Sequence, residues 1–163
     1  MKALLLGLLA SVAMTGLAHA ETAYEPLIIV SPAPLVVLQN DERELVDDIN
    51  RVRLDQGLPG VIVDRLLSRA ALLHARDMAS RRFFGHSTPD GASLLDRLQA
   101  VGFHWRVAAE NIAFDRDVEH ANEALLDSAA HRANILDPRV RKIGVAALGV
   151  GVDATLYVED FAV

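Results

Sequence analysis

The chain predicts an α+β domain in which helices flank a small, largely antiparallel sheet. Three observations lead there. Apolar residues recur at helical spacing after Asp41, after Asp64 and from Ser93. Two β-rich runs, Ile143 to Val150 and Thr155 to Val163, close the chain around the turn-forming Gly151-Val152-Asp153-Ala154. Between these halves lie one strand-like run and one more helix. The order α, α, α, β, α, β, β suggests helices flanking such a sheet.

Residues 1–20 read as a secretory signal peptide, with Lys2 as the charged region and Ala18-His19-Ala20 as an A-x-A cleavage site. The apolar stretch from Ala3 to Leu17 is roughly 15 residues, short of the ~20 that a membrane span needs. An uncleaved N-terminal anchor is the rival reading. No second long apolar run follows, so the mature chain is expected to carry no membrane span. Residues 21–39 hold Pro26, Pro32 and Pro34 among short apolar runs and read as an extended linker or a disordered tether. The expected layout is signal peptide 1–20, linker 21–39 and one domain over 40–163. Localisation follows: periplasmic or extracellular after cleavage at about Ala20.

Asp41, with Glu44 three residues on, can cap the first helix. Leu45, Val46, Ile49, Val52 and Leu54 form its apolar pattern, and Gly57 with Pro59-Gly60 ends it. Asn50 and Arg53 share a helix side and are expected to be solvated or capping. Asp64 can cap the second helix, whose inward stripe is Leu67, Ala71, His74, Ala75 and Met78. A lone His on such a stripe is expected to be a satisfied core residue. Phe83 to Gly91 is a loop, with a turn at Thr88-Pro89-Asp90-Gly91. Ser93 to Val101 is a third helix ended by Gly102. Val107 to Phe114 is strand-like but interrupted by Glu110-Asn111. Asp117 caps a fourth helix expected to run to about Leu136, with Ala121, Ala124, Leu125 and Ser128 inward. On that helix Ser128, His131 and Ile135 fall on one side.

Composition excludes several functions. The 163 residues carry 22 acidic and 16 basic side chains, a net charge of −6. That balance argues against nucleic-acid binding, which needs a basic face, and against an anionic membrane surface. The chain has no cysteine. Disulfides, a thiol nucleophile and a Cys-based metal site are therefore impossible, and packing must supply the stability.

Polar residues in apolar settings mark the candidate site: His86 after Phe83-Phe84-Gly85, Glu110 within Val107 to Ile112, and His131 on the last helix. These three are expected to meet in one cleft, with Ser87 and Ser128 lining it. Zinc takes imidazole nitrogen and carboxylate oxygen, so His86, His131 and Glu110 with a water could form a metal site. Such a metal lowers the pKa of bound water, and Glu110 would be the catalytic base of a hydrolase. Ser87 or Ser128 beside a cleft His is a nucleophilic alternative, although no G-x-S-x-G elbow is present. The same three residues could instead be a buried hydrogen-bonded network joining loop, strand and helix. Arg132 is expected to pair with surface acids, and Asn134 to bond backbone near the helix end. Trp105 is expected to be partly buried over the core.

Taken in order, these pieces are similar to a known family. They are Asn50-x-x-Arg53, Leu67 through Met78, Phe84-Gly85-His86-Ser87 with Pro89-Asp90-Gly91, and Arg97 with Gly102. Glu110-Asn111-Ile112, Ser128-x-x-His131-Arg132-x-Asn134-Ile135-Leu136, Ile143-Gly144-Val145 and Tyr157-Val158-x-Asp160-Phe161 follow. From Asn50 to Phe161 the chain resembles the CAP superfamily, or SCP domain, in its bacterial secreted branch. This is the fold of cysteine-rich secretory proteins, antigen 5 and plant pathogenesis-related proteins. The resemblance implies a three-layer α-β-α sandwich with a surface cleft lined by two His and two Glu, the His pair able to bind zinc. His86 matches the first His, Glu110 the first Glu and His131 the second His. The place of the second Glu falls near Ser128, where Asp127 and Glu123 are the nearest acids. Ala109 stands where a glycine often precedes the Glu-Asn pair. With that resemblance the chain is expected to be a binding or interaction module for a small-molecule, lipid or protein ligand, exported by its signal peptide and monomeric. A metal-assisted hydrolase of peptide or cell-envelope material is the alternative.

Overall fold

The computed structural model describes residues 38–163. The expected signal peptide, and all but the last two residues of the expected linker, lie outside the described residues. The elements are α1 (Asn40–Asp55), β1 (Ile62–Val63), α2 (Arg65–Arg81), α3 (Leu94–Ala100), β2 (Ala108–Asp115), α4 (Val118–Asp127), α5 (Ala129–Ile135), β3 (Lys142–Gly149) and β4 (Thr155–Ala162). The sheet order is β1-β3-β4-β2. β4 runs antiparallel between β3 and β2, and β1 adds to β3 in parallel. The fold is the α+β sandwich the sequence predicts. β1 goes unseen in the sequence because two residues are too few to show a period.

Alternation along the strands separates the layers. Ala113, Ile143, Val145, Tyr157 and Phe161 pack with α1, α4 and α5. Ile112, Ala146, Leu156 and Val158 face the other way, onto α2. Ala162 continues that second face toward Leu98 of α3. Gly144 sets how closely α2 approaches the sheet. A Cβ there would lie 2.1 Å from the Leu67 carbonyl carbon, so only glycine fits beneath the first turn of α2.

Asp64 caps α2 as expected, accepting from the Leu66 and Leu67 amides. α1 begins earlier than its expected Asp41–Glu44 cap. Gln39 is the N-cap, and its amide donates to Glu42. Leu54 is exposed, because the inward position belongs to Arg53. Arg53 is neither solvated nor a cap. It is wholly buried and donates to the carbonyls of Pro59, Ile135, Asp137 and Val140. Asn50 bonds both backbone groups of Val61. The Asn50-x-x-Arg53 pair therefore ties the loop after α1 to the end of α5.

The expected single helix from Asp117 to Leu136 is broken. Ser128 is extended, with φ −77° and ψ 120°, and separates α4 from α5. Ser128 is thus the N-cap of α5 and His131 lies in that helix's first turn, rather than both on one continuous helix. Within α4 the buried residues are Val118, Ala121, Asn122 and Leu125, while Ala124 is exposed.

Candidate functional site

Glu110 and Asn111 are neighbours on β2, so they face opposite layers. Glu110 looks toward α2 and α3. Its side chain is 2% exposed and pairs with Arg97 of α3. Its Oε1 lies 2.9 Å from His86 Nδ1. A carboxylate only accepts, so Nδ1 carries the hydrogen and Nε2 is left free. Arg97 also donates to the His86 carbonyl at 2.8 Å. His86 is thus held by ring and backbone, although its side chain is 55% exposed.

His74 of α2 completes this side. It is fully buried, with Nε2 3.0 Å from the Gly85 carbonyl and 3.8 Å from Glu110. Burial is the largest influence on its imidazole and lowers the pKa, outweighing the Glu110 carboxylate. The neutral ring donates to Gly85, so the Glu110 contact is not an ion pair. This core histidine supports the loop that carries His86. Asp160 lies opposite Glu110 on β4 and is buried. Burial and then the Glu110 carboxylate push its carboxyl well above the usual range.

Asn111 looks toward α5. Its Nδ2 donates to the His131 carbonyl at 3.2 Å and to Glu159 at 2.9 Å. Its Oδ1 accepts from Asn134 at 2.9 Å. Asn134 therefore bonds β2, through the Asn111 side chain and the Glu110 carbonyl, rather than backbone at its own helix end. The His131 ring stands beside His86, with centroids 6.5 Å apart. Burial, and then the charge of His86, lower the His131 pKa, which favours its neutral form.

The structure brings His86, Glu110 and His131 together from loop, strand and helix. Two hollows flank the histidine pair. One, of about 330 Å³, includes His86, Ser87, Glu110 and Asn134. The other, of about 270 Å³, includes His131, Ser128, Phe84 and Phe114. Ser87 and Ser128 thus line different hollows. Arg132 is exposed, with no acidic partner among the described residues. Trp105 packs partly buried beside Leu98 and Phe103. Sequence reasoning missed the supports: Arg97 was visible only as a piece of the resemblance, Asn111 only as part of it and as an interruption of the strand-like run, and Glu159 not at all.

The side chains that could hold a cation are few. Among the described residues no three His, Cys, Asp or Glu side chains are grouped to hold an ion. The Glu110 oxygens already face Arg97 and His86. Two imidazoles remain, one neutral and one with its outer nitrogen free. Such a pair suits a cation that keeps water ligands, and a His–carboxylate bond behind the ligand is a common second layer.

Comparison with known proteins bears on the fold and the family. The model of the cysteine-rich secretory protein family, CAP, matches residues 46–161. The uncharacterized protein YkwD of Bacillus subtilis is 33% identical over 111 residues, 68% of this chain and 43% of that protein. An extracellular SCP-domain protein from Bacillus anthracis superposes with a TM-score of 0.68 at 30% identity, over 75% of this chain and 40% of that one. An outer surface protein of Borrelia burgdorferi gives a TM-score of 0.72 at 20% identity, covering 78% and 95% of the two chains, and bears on the fold alone. The chain spans about two fifths of the two Bacillus proteins. A family match across most of the domain and an identity of this size assign the chain: it belongs to the cysteine-rich secretory protein, or CAP, family.

Proposed function

We propose that this chain is an exported binding module whose cleft takes a divalent cation, such as zinc, at His86 and His131. The observation that carries the reading is the pairing of the two rings, with His86 held by Glu110. Glu110 orients His86 through Nδ1 and leaves Nε2 for the ion. A bound cation would supply Lewis-acid affinity for an oxygen of the ligand. The chain's own residues do the rest: Arg97 and Glu110 fix the loop, Asn111 fixes α5, and the hollows receive the ligand on either side.

Binding fits better than hydrolysis. A hydrolase needs a base beside the attacking water. Glu110 is buried and accepts from two partners, so its role here is support. No described helix is long and apolar enough to cross a membrane. Export itself rests on the sequence of residues 1–20.

Calorimetric titration with zinc tests the reading on the purified protein, His86→Ala and His131→Ala. One ion bound by the parent and lost in both variants supports the cleft as a cation site. Saturable zinc binding that survives both substitutions contradicts it. Turnover of peptide or cell-wall fragments, abolished in Glu110→Gln, would restore the hydrolase alternative.

A further inference from the structure

Two adjacent residues of β4, Glu159 and Asp160, are acidic and wholly buried. Asp160 stands against Glu110 and belongs to the His86 side of the cleft. Glu159 faces the opposite layer and has no part in holding a cation. Its Oε2 accepts from Asn111, while Oε1 has no partner among the described residues. Asn111 in turn holds the His131 carbonyl and the Asn134 amide. A continuous hydrogen-bonded chain therefore runs from the centre of the sheet to the helix that presents His131.

We propose that Glu159 is a positioning residue for the His131 arm, acting through Asn111, and that its proton controls how firmly α5 is held. This deepens the binding reading above and rests on it for its consequence at the cleft.

The surroundings give the proposal its direction. The elements packed on this face offer few ionisable groups. α1 brings Arg53, which is committed to four carbonyls, and the half-buried acids Glu42 and Asp48, which accept from the Ala147 amide and from Asn122. α5 brings His131, whose burial favours the neutral ring. β4 itself brings Tyr157. α4 and β3 bury no ionisable side chain, and Glu110 of β2 faces away. No nearby cation therefore offsets a charge on Glu159. Burial pushes its carboxyl up to about 7, against the opposing pull of the Asn111 amide. Protonated, the side chain sits in the core as a neutral group that accepts from Asn111. Deprotonated, it is a buried charge with one donor. Water must enter or the side chain must move. The Asn111 amide bonds the carboxylate more strongly than the acid, but it is a single donor for a buried charge. The entry of water or the shift of the side chain therefore opens the packing around Asn111 and loosens α5. A rise in pH through about 7 should thus free the His131 arm.

Amide hydrogen exchange on the cation-free full chain, from pH 5.5 to 8.5 and corrected for intrinsic exchange, tests this. Protection of the α5 amides should fall about tenfold across neutrality in the parent. In Glu159→Gln, which keeps an oxygen for Asn111 and cannot ionise, it should stay at the low-pH level. Protection of α5 that is flat with pH in the parent, or an unchanged pH dependence in the Gln variant, overturns the proposal. Isotope-edited infrared spectroscopy of the parent reads the carboxyl directly if that variant does not fold. A Glu159 carboxyl ionised throughout the range overturns the proposal, and one titrating in step with α5 protection supports it. The exchange is read without any cation. A failure of zinc to bind would therefore count against the preceding reading and leave this result intact.

Discussion

The two arms of the cleft are built on consecutive residues of one strand, yet they are held by different physics. The His86 arm is a loop, and its support is ionic: Glu110 pairs with Arg97 and bonds the imidazole. The His131 arm is a helix, and its support is neutral amide hydrogen bonding through Asn111 and Asn134. Beneath the first, a buried acid has a guanidinium beside it. Beneath the second, the buried acid Glu159 has none. A loop needs its functional side chain fixed directly, because its backbone is not held by a hydrogen-bond ladder. A short helix carries its side chain with it, so fixing one carbonyl is sufficient. The difference puts an ion pair under one arm and a buried acid without a cation under the other.

The largest effect should come from breaking the ionic support. Arg97→Met leaves Glu110 buried without its cation, which costs about 3–5 kcal/mol. Urea unfolding checks this, and a loss under 1 kcal/mol would mean that the pair contributes little. The neutral support gives the next effect, through pH. Glu159 ionises near 4.5 in the unfolded chain but near 7 in the fold. The folded state therefore binds the extra proton between these values, and stability falls as pH rises from about 4.5 to 7. The full loss is about 3 kcal/mol above that window. Glu159→Gln should remove this part of the pH dependence and be the more stable protein at pH 8. Parallel stability curves for the two proteins would contradict the account.

Smaller changes sharpen the contrast further. Asn134→Ala removes one hydrogen bond from Asn111 and should cost about 1–2 kcal/mol, with exchange increased in α5 and unchanged in α3. Equal increases in both helices would show that the arms are not independent. Arg132→Ala touches only an exposed side chain and should stay within about 0.5 kcal/mol of the parent. A thermal melt is enough to see whether it does.

These supports explain what the sequence disclosed. The amphipathic stripes of α1 and α2, the Asp64 cap and the terminal hairpin are local patterns, and each was legible as such. His86, Glu110 and His131 stood out as polar residues in apolar surroundings. What bound them did not stand out. Arg97 meets Glu110 across 13 residues, and Asn111 meets Glu159 across 48. No periodicity encodes such pairings. The break at Ser128 was hidden because the residues on both sides are good helix formers. Arg53 looked like a surface arginine because its four acceptors are carbonyls, which no side-chain pattern reveals.

The central claim is that the cleft's cation ligands are His86 and His131, with His74 only a support. Imidazole nitrogen NMR during a zinc titration tests this most directly. The account expects the His86 and His131 resonances to shift together at one equivalent of zinc while His74 stays unmoved. A shift at His74, or saturation of zinc with neither cleft histidine affected, would contradict it.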